Sequence, residues 1–154
     1  MEESLQNQSS QQNPSLQPSS SISSAQPYER PLFYPRGSVL RVDFGDVIGR
    51  EANGTRYCVV LSFDTFNMHS PNVVVAPFTK AANRLQENNE IRLLGTQHLI
   101  LQKDYPFLHT DSIVLTESIR SISKERVKAY IGYLDSKDMK MIDQCTKLLF
   151  NLGA

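Results

Sequence analysis

The sequence predicts a mainly β domain of the α+β class: a small, curled sheet of short strands closed by one C-terminal helix. Three observations lead there. From Arg36 onward the apolar residues alternate with polar ones or form short β-branched runs, which is the signature of strands. Gly, Asn, Ser and Pro separate those runs at short intervals. Only the last stretch changes period, with Met139, Ile142, Cys145, Leu149 and Leu152 recurring at three- and four-residue steps.

In chain order, Leu40, Val42 and Phe44 alternate with Val39, Arg41 and Asp43, giving a first strand over Ser38 to Phe44. Gly45 to Arg56 contains three glycines among mixed charges and reads as a long loop. Tyr57 to Phe63 and Asn72 to Thr79 are β-branched-rich and read as central strands joined by a turn. Glu90 to Leu94 reads as a shorter strand. Gly95 to Asp111 is ambiguous, since Leu99 to Leu101 could begin a strand that Tyr105-Pro106 would break. Strands follow over Ser112 to Glu117 and Ile119 to Ile122, with a short one at Tyr130 to Tyr133. Asp135 can cap a helix from Ser136 to about Phe150, and Asp138 in its first turn suits the helix dipole.

The chain has 154 residues, enough for one domain. Met1 to Pro27 holds 9 Ser, 6 Gln, 3 Pro and 2 Asn. With so few apolar side chains it cannot offset the entropy of ordering, so residues 1–30 read as a disordered tail and residues 36–152 as the folded domain. The first 29 residues contain no Lys or Arg, so neither a secretory signal nor a transit peptide is expected. No apolar run approaches the roughly 20 residues of a membrane helix. Cys58 and Cys145, far apart and without nearby ligands, read as buried thiols in a cytoplasmic protein.

Sixteen basic and sixteen acidic residues cancel. The tail to Arg30 carries three Glu and one Arg, so the remainder is weakly basic at +2. Any grip on a polyanion must therefore come from a local patch. There is no phosphate-cradling Gly-Lys-Ser/Thr loop, no metal-ligand spacing and no Gly-x-Ser-x-Gly elbow, so no metal or cofactor is expected. His69, His98 and His109 read as solvated loop or strand-edge residues. What remains is Arg56, at the start of one strand, and Thr79, at the end of its neighbour. If the two strands pair as a hairpin, both lie at one rim beneath the loop that carries Glu51. A guanidinium there offers a fork of donors to phosphate, and a hydroxyl can donate or accept beside it. On spacing alone, a solvated strand-end charge and a strand-terminal hydroxyl remain the simpler reading.

A resemblance alters that balance. Arg36-Gly37-Ser38-Val39, Asp43-Phe44, Gly49-Arg50-Glu51 and Gly54-Thr55-Arg56 resemble the first strand and loop of the MazF/PemK toxins. Phe66-Asn67, Ser70-Pro71 and the run Val73 to Thr79 are similar to that family's next segment. Asp111 to Leu115, Glu117, Ile119 to Ile122 and Ile131 to Asp135 follow in the family's order. The likeness spans Arg36 to Leu152.

The resemblance implies an SH3-like small β-barrel of the CcdB/MazF type, a homodimer, and a toxin that cuts single-stranded RNA without a metal. It also implies attack by the 2′-hydroxyl, leaving a 2′,3′-cyclic phosphate and a 5′-hydroxyl. It places the catalytic arginine on Arg56, the catalytic threonine on Thr79 and a loop glutamate on Glu51. RNA contacts are expected from Arg50, Gly54, Thr55, Ser70, Lys80, Arg84, Glu117 and Arg120. A cognate antitoxin is the expected partner, with operator DNA bound only by the toxin–antitoxin complex. Tyr57, Arg50 and Ser118 depart from the family's usual Pro, Ser and Gln. Two other readings stay open: a degenerate barrel that binds nucleic acid or antitoxin without cutting, and a CcdB-like gyrase-binding toxin. The intact Arg56/Thr79 pair counts against the first, and a C-terminus without Trp against the second.

Overall fold

The computed structural model describes residues 29–153. The expected disordered tail therefore lies outside the described residues except for Glu29 and Arg30. Seven strands form in order: β1 (Ser38–Asp43), β2 (Thr55–Val60), β3 (Asn72–Lys80), β4 (Gln97–Ile100), β5 (Ser112–Leu115), β6 (Arg120–Ser123) and β7 (Val127–Tyr133). Helix α1 (Asp64–His69) joins β2 to β3, and helix α2 (Ser136–Leu149) ends the domain. The strands run β4-β5-β3-β2-β1-β7 across one antiparallel sheet, with β6 also on β3.

β3 holds the sheet together because it is long enough to serve three neighbours. One edge pairs with β2, from Cys58↔Pro77 to Val60↔Val75. The other edge pairs first with β6, from Asn72↔Ser123 to Val75↔Arg120, and then with β5, from Phe78↔Val114 to Lys80↔Ser112. Splitting one edge between two partners bends the sheet and gives it two packed faces. Leu40, Val42, Phe44, Cys58, Val60, Val73, Val75 and Ile122 point to one side, where Tyr34 joins them. Val39, Val59, Ala76, Phe78 and Val114 point to the other, beneath Leu134, Met139 and Ile142 of the α2 region. Burial on both faces is why Val59-Val60 and Val73 to Ala76 read as continuous apolar runs and not as an alternation.

Several sequence expectations are modified. Glu90 to Leu94 forms no strand; the segment makes a single bridge, Leu85↔Ile91. Its polar groups bond locally, with Asn88 Nδ2 donating to Glu90 Oε2 at 2.9 Å. The Tyr57–Phe63 strand ends at Val60, because Ser62 and Asn67 turn the chain into α1. Asn67, fully buried, donates to the Ser62 carbonyl at 2.7 Å, and the Ser62 hydroxyl accepts from Val74 N at 3.0 Å. A helix of six residues is too short to show a period. β7 extends well beyond the expected Tyr130–Tyr133, because its pairing with β1 shifts register twice and so breaks the alternation. Leu152, counted in the apolar stripe, lies beyond the end of α2 and is exposed. Both cysteines are buried free thiols, and burial pushes each thiol pKa up. No helix among the described residues is long and apolar enough to cross a membrane.

His98 departs from the solvated-loop reading. It lies on β4, largely buried, with Nε2 at 2.7 Å from Asp138 Oδ1. The Tyr105 hydroxyl donates to the other Asp138 oxygen at 2.5 Å and accepts from Asp135 N at 3.1 Å. Burial first, and the Asp138 carboxylate second, push the Tyr105 pKa up. The cluster pins the first turn of α2 to the sheet.

Asp135 is the helix cap, as its position suggested. Its carboxylate accepts from Asp138 N at 2.8 Å, and that backbone bond holds its pKa below the ordinary aspartate value. Asp135→Ala should therefore cost about 1 kcal/mol of stability at neutral pH. A lowered folded pKa means that this stability is present above the unfolded aspartate value and is lost as pH falls through the folded one. Urea titrations of both proteins should show their gap closing in strong acid; a gap independent of pH would contradict the cap.

Candidate active site at the rim of the barrel

β2 and β3 are in register from Cys58↔Pro77 onward. The ladder ends at that pair, and Arg56 and Thr79 each lie two residues beyond it on their strands. Arg56 lies on the same strand face as Cys58 and Val60, and Thr79 on the same face as Val73 and Val75, so both extend the inner face past the end of the apolar core. Both line one open cavity of about 350 Å³.

The walls of that cavity set its charge. Arg56 and Lys80 line it, together with Asn53, Asn83, Gly54 and Thr55, and no carboxylate does. Gly54 has a φ of +64°, a left-handed turn that suits a residue without Cβ. It bonds on both sides of the loop base, donating to Gly45 O at 3.1 Å and accepting from Phe44 N at 2.9 Å. The turn leaves the Asn53 carbonyl 3.1 Å from Arg56 Nε, with Asn53 Oδ1 at 3.4 Å from Arg56 Nη2. On the facing wall, Asn83 Nδ2 donates to Thr79 Oγ1 at 3.1 Å. The Arg56 guanidinium and the Thr79 hydroxyl, with Lys80 next in the chain, thus border an open space suited to an anion.

The other residues singled out from the sequence divide into two sets. Arg50, Glu51, Glu117 and Arg120 line a second cavity, of about 560 Å³. Glu51 is therefore not over Arg56 and Thr79 in this structure. The reason is local: the paired glycines fix the loop base beside β2, while residues 50–52 extend over the start of β6. In this second cavity Arg120 donates to the Phe44 carbonyl at 3.2 Å and lies 5.8 Å from the centre of its ring. The Glu117 carboxylate is engaged at the start of β4, accepting from Thr96 Oγ1, just before the strand, at 3.1 Å and from Gln97 Nε2 at 2.5 Å. Ser70 and Arg84 line neither cavity. Ser70 closes α1, its hydroxyl accepting from Asn72 N at 3.0 Å, and Arg84 is exposed on the turn after β3. Asn53 and Asn83 had no signal in the sequence: each is an ordinary loop or turn residue until the fold brings it to Arg56 or Thr79.

The model of the PemK-like, MazF-like toxins of type II toxin–antitoxin systems matches residues 35–150. The chain belongs to this PemK/MazF family. Endoribonuclease MazF of Staphylococcus saprophyticus is 33% identical over 117 residues, which is 76% of this chain and 91% of that one. Among solved structures, a mycobacterial endoribonuclease in complex with its cognate antitoxin superposes with a TM-score of 0.61 at 21% identity, covering 79% of this chain and 98% of its own. MazF of Deinococcus radiodurans gives 0.62 at 15% identity, covering 78% and 98%. The bent seven-stranded sheet with its C-terminal helix is therefore the PemK/MazF fold. Within it, the two cavities divide the residues of this family member between a cationic rim and a mixed-charge groove. Among the described residues, no group of three or more His, Cys, Asp or Glu side chains could hold a metal ion.

Proposed function

We propose that this PemK/MazF-family chain is an endoribonuclease toxin that cuts single-stranded RNA at preferred sequences without a metal. The observation that carries the reading is the carboxylate-free rim, where Arg56, Thr79 and Lys80 face one cavity. The 2′-oxygen of the nucleotide before the cut attacks the adjacent phosphorus, and the bond from phosphorus to the 5′-oxygen breaks. The products are a 2′,3′-cyclic phosphate and a 5′-hydroxyl. Arg56 and Lys80 stabilise the charge that develops on the phosphorane, and Thr79 donates to one of its oxygens. An arginine guanidinium is a poor base, so Arg56 serves the phosphate and not the 2′-hydroxyl proton. The 2′-hydroxyl proton goes to water in the arrangement seen here, or to Glu51 once the 45–54 loop closes on RNA. The 5′-oxygen takes its proton from water, with Arg56 donating a hydrogen bond to that oxygen. Arg50, Gly54, Thr55, Ser70, Arg84, Glu117 and Arg120 are the candidate contacts for the flanking nucleotides.

In this reading the toxin works in the cytoplasm as a homodimer, held by an antitoxin that binds operator DNA only as part of the complex. Phe63, Leu148 and Phe150 are each more than half exposed. Phe63 and Phe150 border adjoining cavities that share Arg36 and Asp143, an apolar face suited to a second copy. Antitoxin pairing draws support from the solved relatives: the mycobacterial enzyme is in complex with its cognate antitoxin, and the Deinococcus protein is also solved as MazE–MazF.

The test is incubation of the purified chain with a mixed RNA pool in EDTA, followed by analysis of the new ends. Cutting with 5′-hydroxyl ends is expected. Loss of cutting on chelation, or 5′-phosphate ends, would overturn the mechanism; binding without cutting would make the chain a degenerate barrel.

A further inference from the structure

We propose that Asn83 is a positioning residue for Thr79: its side-chain amide holds the Thr79 hydroxyl as an acceptor and so turns the hydroxyl proton into the cavity lined by Arg56. The proposal rests on the reading of Thr79 given above.

A threonine hydroxyl has one proton to give and two lone pairs to offer. In this fold one lone pair is taken, because Asn83 Nδ2 donates to Thr79 Oγ1 at 3.1 Å. Both ends of that bond are anchored. The Thr79 backbone pairs with Ile113 on β5, and its β-branched side chain has few rotamers to choose from. Asn83 belongs to the 3₁₀ turn Ala81–Arg84, which continues directly from β3. That turn is fixed by the buried Ala81, whose N donates to Asp111 O at 2.9 Å. The Asn83 side chain is therefore delivered to Thr79 by elements that do not depend on it.

The direction of the bond matters. An amide donor leaves the hydroxyl proton free for a phosphate oxygen. A carboxylate at the same place could only accept, and would draw that proton away from the cavity. Asn83 is exposed, so water can replace its hydrogen bond in the folded protein at little cost to stability. Its effect belongs on the rate.

The test uses the full chain and a single-stranded RNA oligonucleotide carrying one cut site mapped from a mixed pool. Asn83→Ala should lower kcat roughly 5- to 10-fold, leaving KM and melting temperature unchanged. Asn83→Asp should fall roughly 10²-fold, close to Thr79→Ala, because the proton is then misdirected. Asn83→Gln, which keeps the donor, should recover most of the rate. In a Thr79→Ala background, Asn83→Ala should add nothing, since a residue that acts through Thr79 has nothing left to position. Wild-type cutting by Asn83→Ala, or an equal loss with Thr79 already removed, would overturn the proposal; so would a rate loss that tracks melting temperature. Full activity in Thr79→Ala itself would instead overturn the role of Thr79, on which the proposal depends.

Discussion

Arg56→Ala and Thr79→Ala should each slow RNA cleavage by about 10²-fold or more, with the melting temperature close to wild type. The size follows from what each would remove. A donor aimed at charge that appears only in the transition state commonly accounts for about 10²- to 10³-fold in rate. The neutrality of the fold follows from where they sit. Both are half-buried at the rim, past the last inward-facing apolar residues of their strands. Arg56 donates to the adjacent turn at Asn53, and Thr79 Oγ1 accepts from the exposed Asn83. Single-turnover rates and thermal melts of the two variants check this. A variant that melts normally and cuts at close to the wild-type rate removes its residue from the site.

Phe44→Ala should produce the largest loss of stability, about 3–5 kcal/mol. The ring is 1% exposed and fills the inner cluster with Tyr34, Leu40, Val42 and Val127. Its neighbours are strands fixed by their own ladders, so they cannot collapse into the space left behind. The Arg120 guanidinium lies over the ring and takes the Phe44 carbonyl, so the cavity would open beside a charge. Against a total stability of about 5–15 kcal/mol, that loss leaves a marginal domain. Phe44 N also bonds Gly54 O at the base of the 45–54 loop, so cleavage should weaken along with the fold. Urea unfolding gives the number directly, and a loss below about 1 kcal/mol would mean that the inner cluster does not depend on this ring.

The sequence made legible whatever rests on local pattern. β1, β3, β5, β6 and α2 emerge at nearly their observed bounds, and Asp135 caps α2 as its position suggested. The pairing of β2 with β3 was enough to foresee that Arg56 and Thr79 share one rim. What stayed hidden depends on contacts between distant segments. β4 lies in a stretch of mixed signals, and its Gln97 and His98 make sense only against Glu117 and Asp138. The Glu90–Leu94 run has strand-like residues but lacks a neighbour to continue the ladder. The sequence sets Glu51 near Arg56 because one loop carries Glu51 and ends at Arg56, whereas in the fold residues 50–52 lie with Arg120. Asn83 could not be found from composition at all, because its interest lies in one hydrogen bond.

The most direct measurement of the account is cleavage, in EDTA, of two single-stranded oligonucleotides that share one mapped site. One is all RNA; the other carries a single 2′-deoxy sugar at the nucleotide before the cut. If the 2′-oxygen is the nucleophile that Arg56 and Thr79 serve, the RNA is cut to a 2′,3′-cyclic phosphate and a 5′-hydroxyl, and the substituted strand stays intact. Cutting of the substituted strand at the same position, or a 5′-phosphate on the product, would contradict it.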